Sequence, residues 1–241
     1  MESSASNTAG TFYGVGVGPG DPELLTVKAI NAIKKVDVII APKTEKKEGS
    51  VALSIAKPYL RSDVEIVYQT FPMVKGFEDF HKIFENNKRE IIKFLNDGKD
   101  VAFLTLGDPM FFSTYIYIFR LLKDCGIKIK TIAGVPSFLA IASYIGLPLC
   151  YGNDIMTVIP ATAERDLIIG AIRNSDVAVL MKVYKNFEEV VDILEKENMS
   201  EEAVLVSRCG LEDEKIIKNV IDHKLEEINY LSTVLTRKKR H

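Results

Sequence analysis

The sequence predicts an α/β protein in which parallel β-strands alternate with helices. Short apolar runs alternate with longer segments whose apolar residues recur at helical spacing. Turns that contain glycine or proline follow the predicted strands. Strands that are separated by helices imply right-handed crossovers, and therefore a doubly wound parallel sheet.

The first half of the chain contains five predicted strands with helices between them. The strands are residues 11–17, 36–40, 64–68, 101–106 and 127–132. The helices are residues 24–33, 51–60, 77–95, 112–122 and 136–145. This half therefore predicts a parallel five-stranded sheet.

A second α/β unit follows a pause in this alternation between residues 146 and 154. Its predicted strands are residues 155–159, 177–181, 203–207, 216–221 and 230–235, with helices at 163–173 and 187–197. Two modest domains with a cleft between them are the expected outcome. We expect a disordered tail at 1–10, domains at 11–148 and 149–236, and a basic, solvated tail at 237–241.

Composition narrows the class of protein. The 241 residues are 47% hydrophobic and 27% charged with a net charge of -2, which is ordinary for a soluble protein and predicts neither nucleic-acid nor membrane-surface binding. Three separated cysteines and three histidines, without CxxC spacing, predict no disulfide framework and no metal site built by the protein. The polar start and the lack of an 18-residue apolar stretch predict a cytoplasmic protein without a membrane span.

Unusual residues cluster directly after the predicted strands of the first sheet. Because the carboxyl ends of parallel strands share one edge, we expect these turns to converge there on a ligand. The turns are Gly18-Pro19-Gly20, Ala41-Pro42-Lys43, Phe71-Pro72-Met73, Gly107-Asp108-Pro109 and Ala133-Gly134-Val135-Pro136-Ser137.

The glycine-rich first turn does not match a dinucleotide site. The fingerprint for that site needs glycines at relative positions 1, 3 and 6. Counted from Gly14 the sixth position is Pro19, and counted from Gly16 it is Asp21. No acidic residue ends the second strand to bind a ribose. The turn is therefore predicted to approach something other than a pyrophosphate.

The turn after the fourth predicted strand, Gly107-Asp108-Pro109, fixes one carboxylate at the edge where the carboxyl ends of the strands meet. Gly107 permits backbone conformations that a side chain would forbid, and Pro109 restrains Asp108 to extended geometry. Asp108 is the candidate proton acceptor of the site, and holding a cofactor or fixing the loop is an equally open role for it. Asp21 is a weaker alternative base, for which capping of a turn is the favoured interpretation.

Three motifs together resemble the tetrapyrrole methylases. Gly16-Val17-Gly18-Pro19-Gly20-Asp21 resembles the first signature of that family, Gly107-Asp108-Pro109 with Ser113 the second, and Gly134-Val135-Pro136-Ser137 the third. The resemblance spans residues 11–235. Within the family, the chain looks most like the members that methylate C20 of precorrin-2 or cobalt-precorrin-2 in vitamin B12 synthesis.

The resemblance implies a homodimer of two α/β domains, an N-terminal parallel sheet and a C-terminal mixed sheet, that binds S-adenosylmethionine between the domains and releases S-adenosylhomocysteine. Carried over position by position, the cofactor contacts would be Pro19, Leu106, Gly107, Asp108, Phe111, Pro136, Ser137, Met181 and Cys209. Relatives that methylate uroporphyrinogen carry an acid-base pair after the second strand, where this chain has Ala41-Pro42-Lys43-Thr44. That departure argues against uroporphyrinogen as the substrate.

The implied substrate is a large macrocycle with many carboxylates. Its candidate contacts are Lys43, Met73, Ser113, Thr114 and Tyr115. Further lysines after the strands form a suggestive basic set, although each alone is more simply a solubility residue: Lys46, Lys47, Lys75, Lys182 and Lys185. An apolar floor for the ring could come from Met73, Phe111, Phe112, Tyr115 and Tyr117, and core packing is the favoured interpretation for Phe112.

Three alternatives remain open from the sequence. A methylase acting on another tetrapyrrole position, on protein or on RNA would share the motifs. A dinucleotide-dependent oxidoreductase is weakened by the glycine spacing. A non-catalytic nucleotide-binding module would tolerate asparagine at Asp108.

Overall fold

A computed structural model describes residues 9–43, 49–71 and 77–239, with the side chains of residues 77–80 left aside. The chain divides into two compact units, residues 1–136 (unit 1) and 137–241 (unit 2). The proposed substrate contact Met73 lies outside the described residues, and so do three lysines of the proposed basic set, Lys46, Lys47 and Lys75. Most of the two predicted tails also lies outside them.

Unit 1 contains the predicted parallel five-stranded sheet, which is confirmed. Its strands are β1 (Phe12–Gly16), β2 (Val38–Lys43), β3 (Glu65–Thr70), β4 (Val101–Thr105) and β5 (Ile129–Ile132). Its helices are α1 (Val27–Ile33), α2 (Val51–Ala56), α3 (Phe77–Asn96) and α4 (Tyr115–Leu122). Short 3₁₀ turns at Pro22–Leu24 and Lys57–Tyr59 precede α1 and follow α2.

The strand order β3-β2-β4-β1-β5 places β1 and β4 side by side at the centre, with Gly16 paired to Thr105. From β1 the chain moves toward the β3 edge of the sheet, whereas from β4 it moves toward the β5 edge. The connections that leave these two neighbours therefore run in opposite directions, each across the other strand. In open α/β sheets ligands bind outside the carboxyl ends of strands where neighbouring strands connect in opposite directions.

The central strands are buried along their whole length, as expected where helices cover both faces of a parallel sheet. Every residue of β1 and of β4 is buried. Phe12, Phe103 and Tyr115 form an aromatic cluster in this core, with ring centroids 6.0–6.5 Å apart. The two strands thus provide a rigid base for the turns that follow them.

Unit 2 contains a mixed sheet, as expected. Its strands are β6 (Met156–Pro160), β7 (Val177–Met181), β8 (Val204–Ser207), β9 (Lys215–Ile217) and β10 (Ser232–Arg237) in the order β6-β7-β10-β8-β9. β6 and β7 are parallel, while β10 is antiparallel to both β7 and β8. The helices are α5 (Ser137–Ile145), α6 (Arg165–Arg173) and α7 (Phe187–Lys196). Since α5 packs near β10, it belongs to this unit although the sequence predicted it in the first domain.

Two predicted boundaries are wrong for identifiable physical reasons. β2 continues through Lys43 instead of ending at Ile40, because its last residues pair with β3 up to Thr70. Pro42 is tolerated there because β4 pairs with β2 only as far as Ile40, so the missing N–H removes no bond to that strand. The expected solvated tail also starts too early, since Arg237 ends β10 and forms a 2.7 Å ion pair with the buried Asp154 side chain.

Across the described ranges of the chain, helices that are long and apolar enough to cross a membrane are absent.

Candidate functional site

Two turns meet where β1 and β4 end. The amide of Val17 donates to the carbonyl oxygen of Thr105 at 2.9 Å and continues the ladder beyond the strands. Gly18 and Gly107 then exchange backbone hydrogen bonds, with N–O distances of 3.3 and 2.8 Å. Both glycines have positive φ, +75° and +68°, which other residues adopt only with strain. The first and second sequence motifs are therefore one backbone junction.

The third motif joins this junction through direct backbone packing. A Cβ atom on Gly16 would lie 2.6 Å from the amide nitrogen of Gly134 and 2.7 Å from the carbonyl oxygen of Gly107. A Cβ atom on Gly134 would lie 2.2 Å from that same oxygen. Side chains at either position would force the three turns apart. Glycine is thus required for the three motifs to meet.

Asp108 is the polar link within the junction. Its Oδ1 accepts a hydrogen bond of 2.8 Å from the amide of Met110, which closes its own turn. Its Oδ2 accepts a hydrogen bond of 3.0 Å from the amide of Gly134 in the third motif. The side chain therefore fixes the turn after β4 against the turn after β5. An ionised carboxylate has about four lone-pair positions, so two acceptor positions remain on these oxygens.

The turn between β4 and α4 is held in a strained form. The amide of Phe111 donates to the Asp108 carbonyl at 3.3 Å, and the Ser113 hydroxyl donates to the Pro109 carbonyl. Phe112 between them has φ +47° and a 42% exposed side chain. For a residue with a Cβ, the left-handed region costs about 1–2 kcal/mol. The expected core packing of Phe112 is wrong, because helix α4 begins only at Tyr115 and the left-handed turn before it leaves the ring exposed.

The predicted cofactor contacts of unit 1 share the edge at which β1, β4 and β5 end. Leu106, Gly107, Asp108, Phe111 and Pro136 are half-buried around the junction, and Pro19 is buried. A Cβ on Gly107 would make ordinary contacts with the backbone of Val135 and Pro136, at 3.9 and 4.0 Å, so its positive φ rather than a clash favours glycine there. Ser137, the last residue of the third motif, begins α5 and is counted with unit 2.

The predicted cofactor contacts of unit 2 lie at the end of β7 and shortly after the end of β8. Met181 ends β7 opposite Thr233, and Cys209, which is 8% exposed, comes two residues after β8. Lys182 and Arg208, directly after these strands, both have positive φ, +60° and +55°. Burial lowers the pKa of the Lys182 ammonium group.

The proposed substrate contacts differ in burial and in their position on the sheet. Tyr115 is fully buried, and its hydroxyl is 2.7 Å from the Thr131 Oγ1 atom, so its ring belongs to the core and presents no surface to a ligand. Ser113 and Thr114 are half-buried in the strained turn. The Lys43 ammonium lies 5.7 Å from the centroid of the Tyr68 ring, on the outer strand pair of the sheet.

Sequence reasoning missed two contacts that shape this edge. The Thr26 hydroxyl, which caps α1, also donates to the Ala133 carbonyl at 3.4 Å and links the start of α1 to the residue that precedes the third motif. The Tyr115 ring packs against Gly14, where a Cβ would lie 2.2 Å from it. A glycine inside an apolar strand is a signal for such a close approach.

Groups of three or more His, Cys, Asp or Glu side chains that could hold a metal ion are absent from the part of the chain that the structure describes.

Comparison with known proteins agrees with the three motifs. Residues 11–224 match the family model of the tetrapyrrole (corrin/porphyrin) methylases. The chain is 36% identical to a probable cobalt-precorrin-2 C(20)-methyltransferase of Methanocaldococcus jannaschii over 90% of this chain and 89% of that protein. It is 32% identical to the cobalt-precorrin-2 C(20)-methyltransferase of Salmonella typhimurium, over 95% and 97% of the two chains.

The fold also matches a solved structure. The uroporphyrin-III C-methyltransferase of Thermus thermophilus, complexed with S-adenosylhomocysteine, superposes with a TM-score of 0.64. That match covers 94% of this chain and 97% of the other at 23% identity, which shows a shared fold. Because the family model spans most of the sequence, the chain belongs to the tetrapyrrole methylase family.

Proposed function

We propose that this protein is an S-adenosylmethionine-dependent methyltransferase that adds a methyl group to C20 of precorrin-2 or cobalt-precorrin-2 in cobalamin biosynthesis. The observation that carries the proposal is the junction of three glycine turns at the carboxyl edge of a parallel sheet, locked by Asp108. The two relatives described above, which match over nearly their whole length, are named for this substrate.

The residues at the junction fit a sulfonium nucleoside cofactor. S-adenosylmethionine presents an adenine, a ribose and an amino acid, which backbone amides and carbonyls can bind without bulky side chains. Leu106, Gly107 and Pro136 would supply such groups, since all three are half-buried in the turns that follow β4 and β5. The family resemblance proposes Met181 and Cys209 as further cofactor contacts.

Methyl transfer from this cofactor requires orientation more than covalent catalysis. When bound, the cofactor supplies an already activated methyl group, so the protein aligns it with the substrate carbon and excludes water. Good alignment recovers on the order of 7–11 kcal/mol of the barrier. The rigid base of β1 and β4 suits that task, because both strands are wholly buried.

After transfer, the substrate carbon must lose a proton. Asp108 is the proposed acceptor, in addition to its role in holding the two turns together. The hydrogen bonds from Met110 and Gly134 keep the carboxylate in one orientation, while its remaining lone pairs can receive a proton. Asp21 is set aside, because its Oδ1 caps the 3₁₀ turn by accepting from the Glu23 amide at 2.8 Å.

The direct test is incubation with S-adenosylmethionine and either the cobalt or the metal-free form of the dimethylated ring, followed by mass spectrometry. The proposal expects a gain of one methyl group on at least one form. Uroporphyrinogen III serves as the control substrate and is expected to remain unmodified. A methyl group added to uroporphyrinogen alone would reject the C20 assignment while keeping the methylase assignment.

Ligand-dependent melting gives an independent prediction for the cofactor. S-adenosylhomocysteine at about 100 times its dissociation constant should stabilise the folded protein by about 2.7 kcal/mol, because it binds the native state. NAD and ATP at the same concentration should leave the melting temperature unchanged. Differential scanning fluorimetry measures all three ligands, and a shift with NAD alone would favour the oxidoreductase alternative.

We infer a homodimer in a reducing, cytoplasmic compartment, with no nucleic-acid partner. The family resemblance supports the dimer, and the free thiols of Cys125, Cys150 and Cys209 support the compartment. The near-neutral net charge of -2 gives nucleic acid no electrostatic attraction. Light scattering coupled to size-exclusion chromatography tests the dimer, for which a mass of one 26.9 kDa chain would be the contrary result.

A further inference from the structure

Phe112 is the most unusual residue at the ligand edge of unit 1. It combines a left-handed backbone, at φ +47°, with a 42% exposed aromatic side chain. Phenylalanine is a poor choice for that backbone region, where glycine or asparagine fits without strain. Residues kept in strained conformations cluster at binding sites and active sites.

The surrounding turn actively maintains this conformation. On one side, Asp108 binds the Met110 amide through its side chain and the Phe111 amide through its carbonyl group. On the other side, the Ser113 hydroxyl bonds the Pro109 carbonyl. The strain at Phe112 is therefore imposed by the same turn that carries the proposed catalytic carboxylate.

The Phe112 ring is much more exposed than the aromatic rings of the core. Phe12, Phe103 and Tyr115 fill the centre of unit 1 and are each fully buried. Phe112 contacts the Phe111 ring edge-to-face, with centroids 4.7 Å apart and planes at 65°. The half-exposed Met110 precedes this pair in the same turn, which Asp108 closes through the Met110 amide.

We infer that Phe112 is a substrate-positioning residue, whose ring packs against the apolar face of the tetrapyrrole macrocycle. The inference rests on the proposed function and adds a specific contact to it. A tetrapyrrole has carboxylates at its rim and an extended apolar face, and an exposed aromatic ring such as that of Phe112 can pack against this face. The left-handed turn fixes the ring before the substrate arrives, so that little side-chain freedom is lost on binding.

Two substitutions separate the ring from the backbone. Phe112→Asn removes the ring and keeps a residue that tolerates the left-handed turn. Phe112→Tyr keeps the ring. We expect Phe112→Asn to raise the KM for the tetrapyrrole about tenfold, with kcat and S-adenosylhomocysteine affinity within twofold of wild type and an unchanged or higher melting temperature. Phe112→Tyr should stay within twofold of wild type in KM.

Leu225→Asn is the matched control for loss of an exposed apolar residue. Leu225 is 84% exposed and is not among the residues proposed for the site, so its replacement should leave KM unchanged. If the wild-type enzyme is active and Phe112→Asn has the same KM, the inference is overturned while the proposed function stands. If Phe112→Asn raises KM but also weakens cofactor binding and lowers the melting temperature, Phe112 supports the fold instead. A wild-type protein that methylates no tetrapyrrole would reject the proposed function, and the inference with it.

Discussion

Replacement of Gly134 by alanine is expected to destabilise unit 1 by about 3 kcal/mol. The added Cβ would lie 2.2 Å from the Gly107 carbonyl oxygen and 2.8 Å from the backbone of Gly16. All these neighbours are backbone atoms of turns anchored to buried strands, so they cannot rotate away as a flexible side chain would. Overpacking of a tight contact costs about 1–3 kcal/mol, and this position belongs at the upper end.

Urea denaturation at equilibrium measures the loss, with Gly170→Ala as the control. Gly170 lies within α6, and a Cβ there would meet no atom within 4 Å. Alanine at that position should stabilise the helix by roughly 0.5–1 kcal/mol, because glycine is a poor helix former. Equal unfolding midpoints for Gly134→Ala and wild type would contradict the backbone junction described above.

The Asp108→Asn substitution is expected to reduce turnover at least 100-fold while it weakens S-adenosylhomocysteine binding about tenfold. An amide cannot accept the substrate proton, and loss of a positioned base typically costs about 10²–10⁴ in rate. The amide can still accept from Met110 through its oxygen, but its NH₂ group would then face the Gly134 N–H. One lost hydrogen bond of about 1.4 kcal/mol corresponds to the tenfold loss in affinity.

Single-turnover kinetics together with calorimetric titration of S-adenosylhomocysteine separate the two roles of Asp108. Equal losses in rate and in affinity would show that Asp108 only positions the turns. Asp21→Asn is the matched control, because asparagine caps a turn as well as aspartate does and the Glu23 amide keeps its acceptor. Wild-type turnover is expected for that variant, and a large loss would transfer the role of base to Asp21.

Local signals in the sequence were sufficient for most of the architecture. β7, at 177–181, was predicted with its observed bounds because five consecutive apolar residues lie between polar segments. The convergence of Gly18, Gly107 and Gly134 followed from parallel topology alone, since each comes after a strand whose carboxyl end meets the same edge. The family motifs indicated which of these turns matter.

Features that depend on a distant partner could not be predicted from local patterns. The extension of β2 to Lys43 depends on its pairing with Thr70, and the second hydrogen bond of Asp108 depends on where the Gly134 amide lies. The environment of Phe112 was predicted wrongly because apolar spacing suggested a helix that starts at that residue. In the structure Phe112 has a left-handed backbone, and α4 begins only at Tyr115. Arg237 looked like part of a basic tail because its partner, Asp154, is remote in sequence.

The position of β10 has a consequence for how the protein is made. β7 and β8 form no ladder with each other, since each pairs with β10 between them. During synthesis the β6–β7 and β8–β9 pairs leave the ribosome before the strand that joins them, and the second sheet can close only when Ser232–Arg237 has emerged. The five strands of the first sheet, by contrast, have all emerged by Ile132 and can assemble while translation continues.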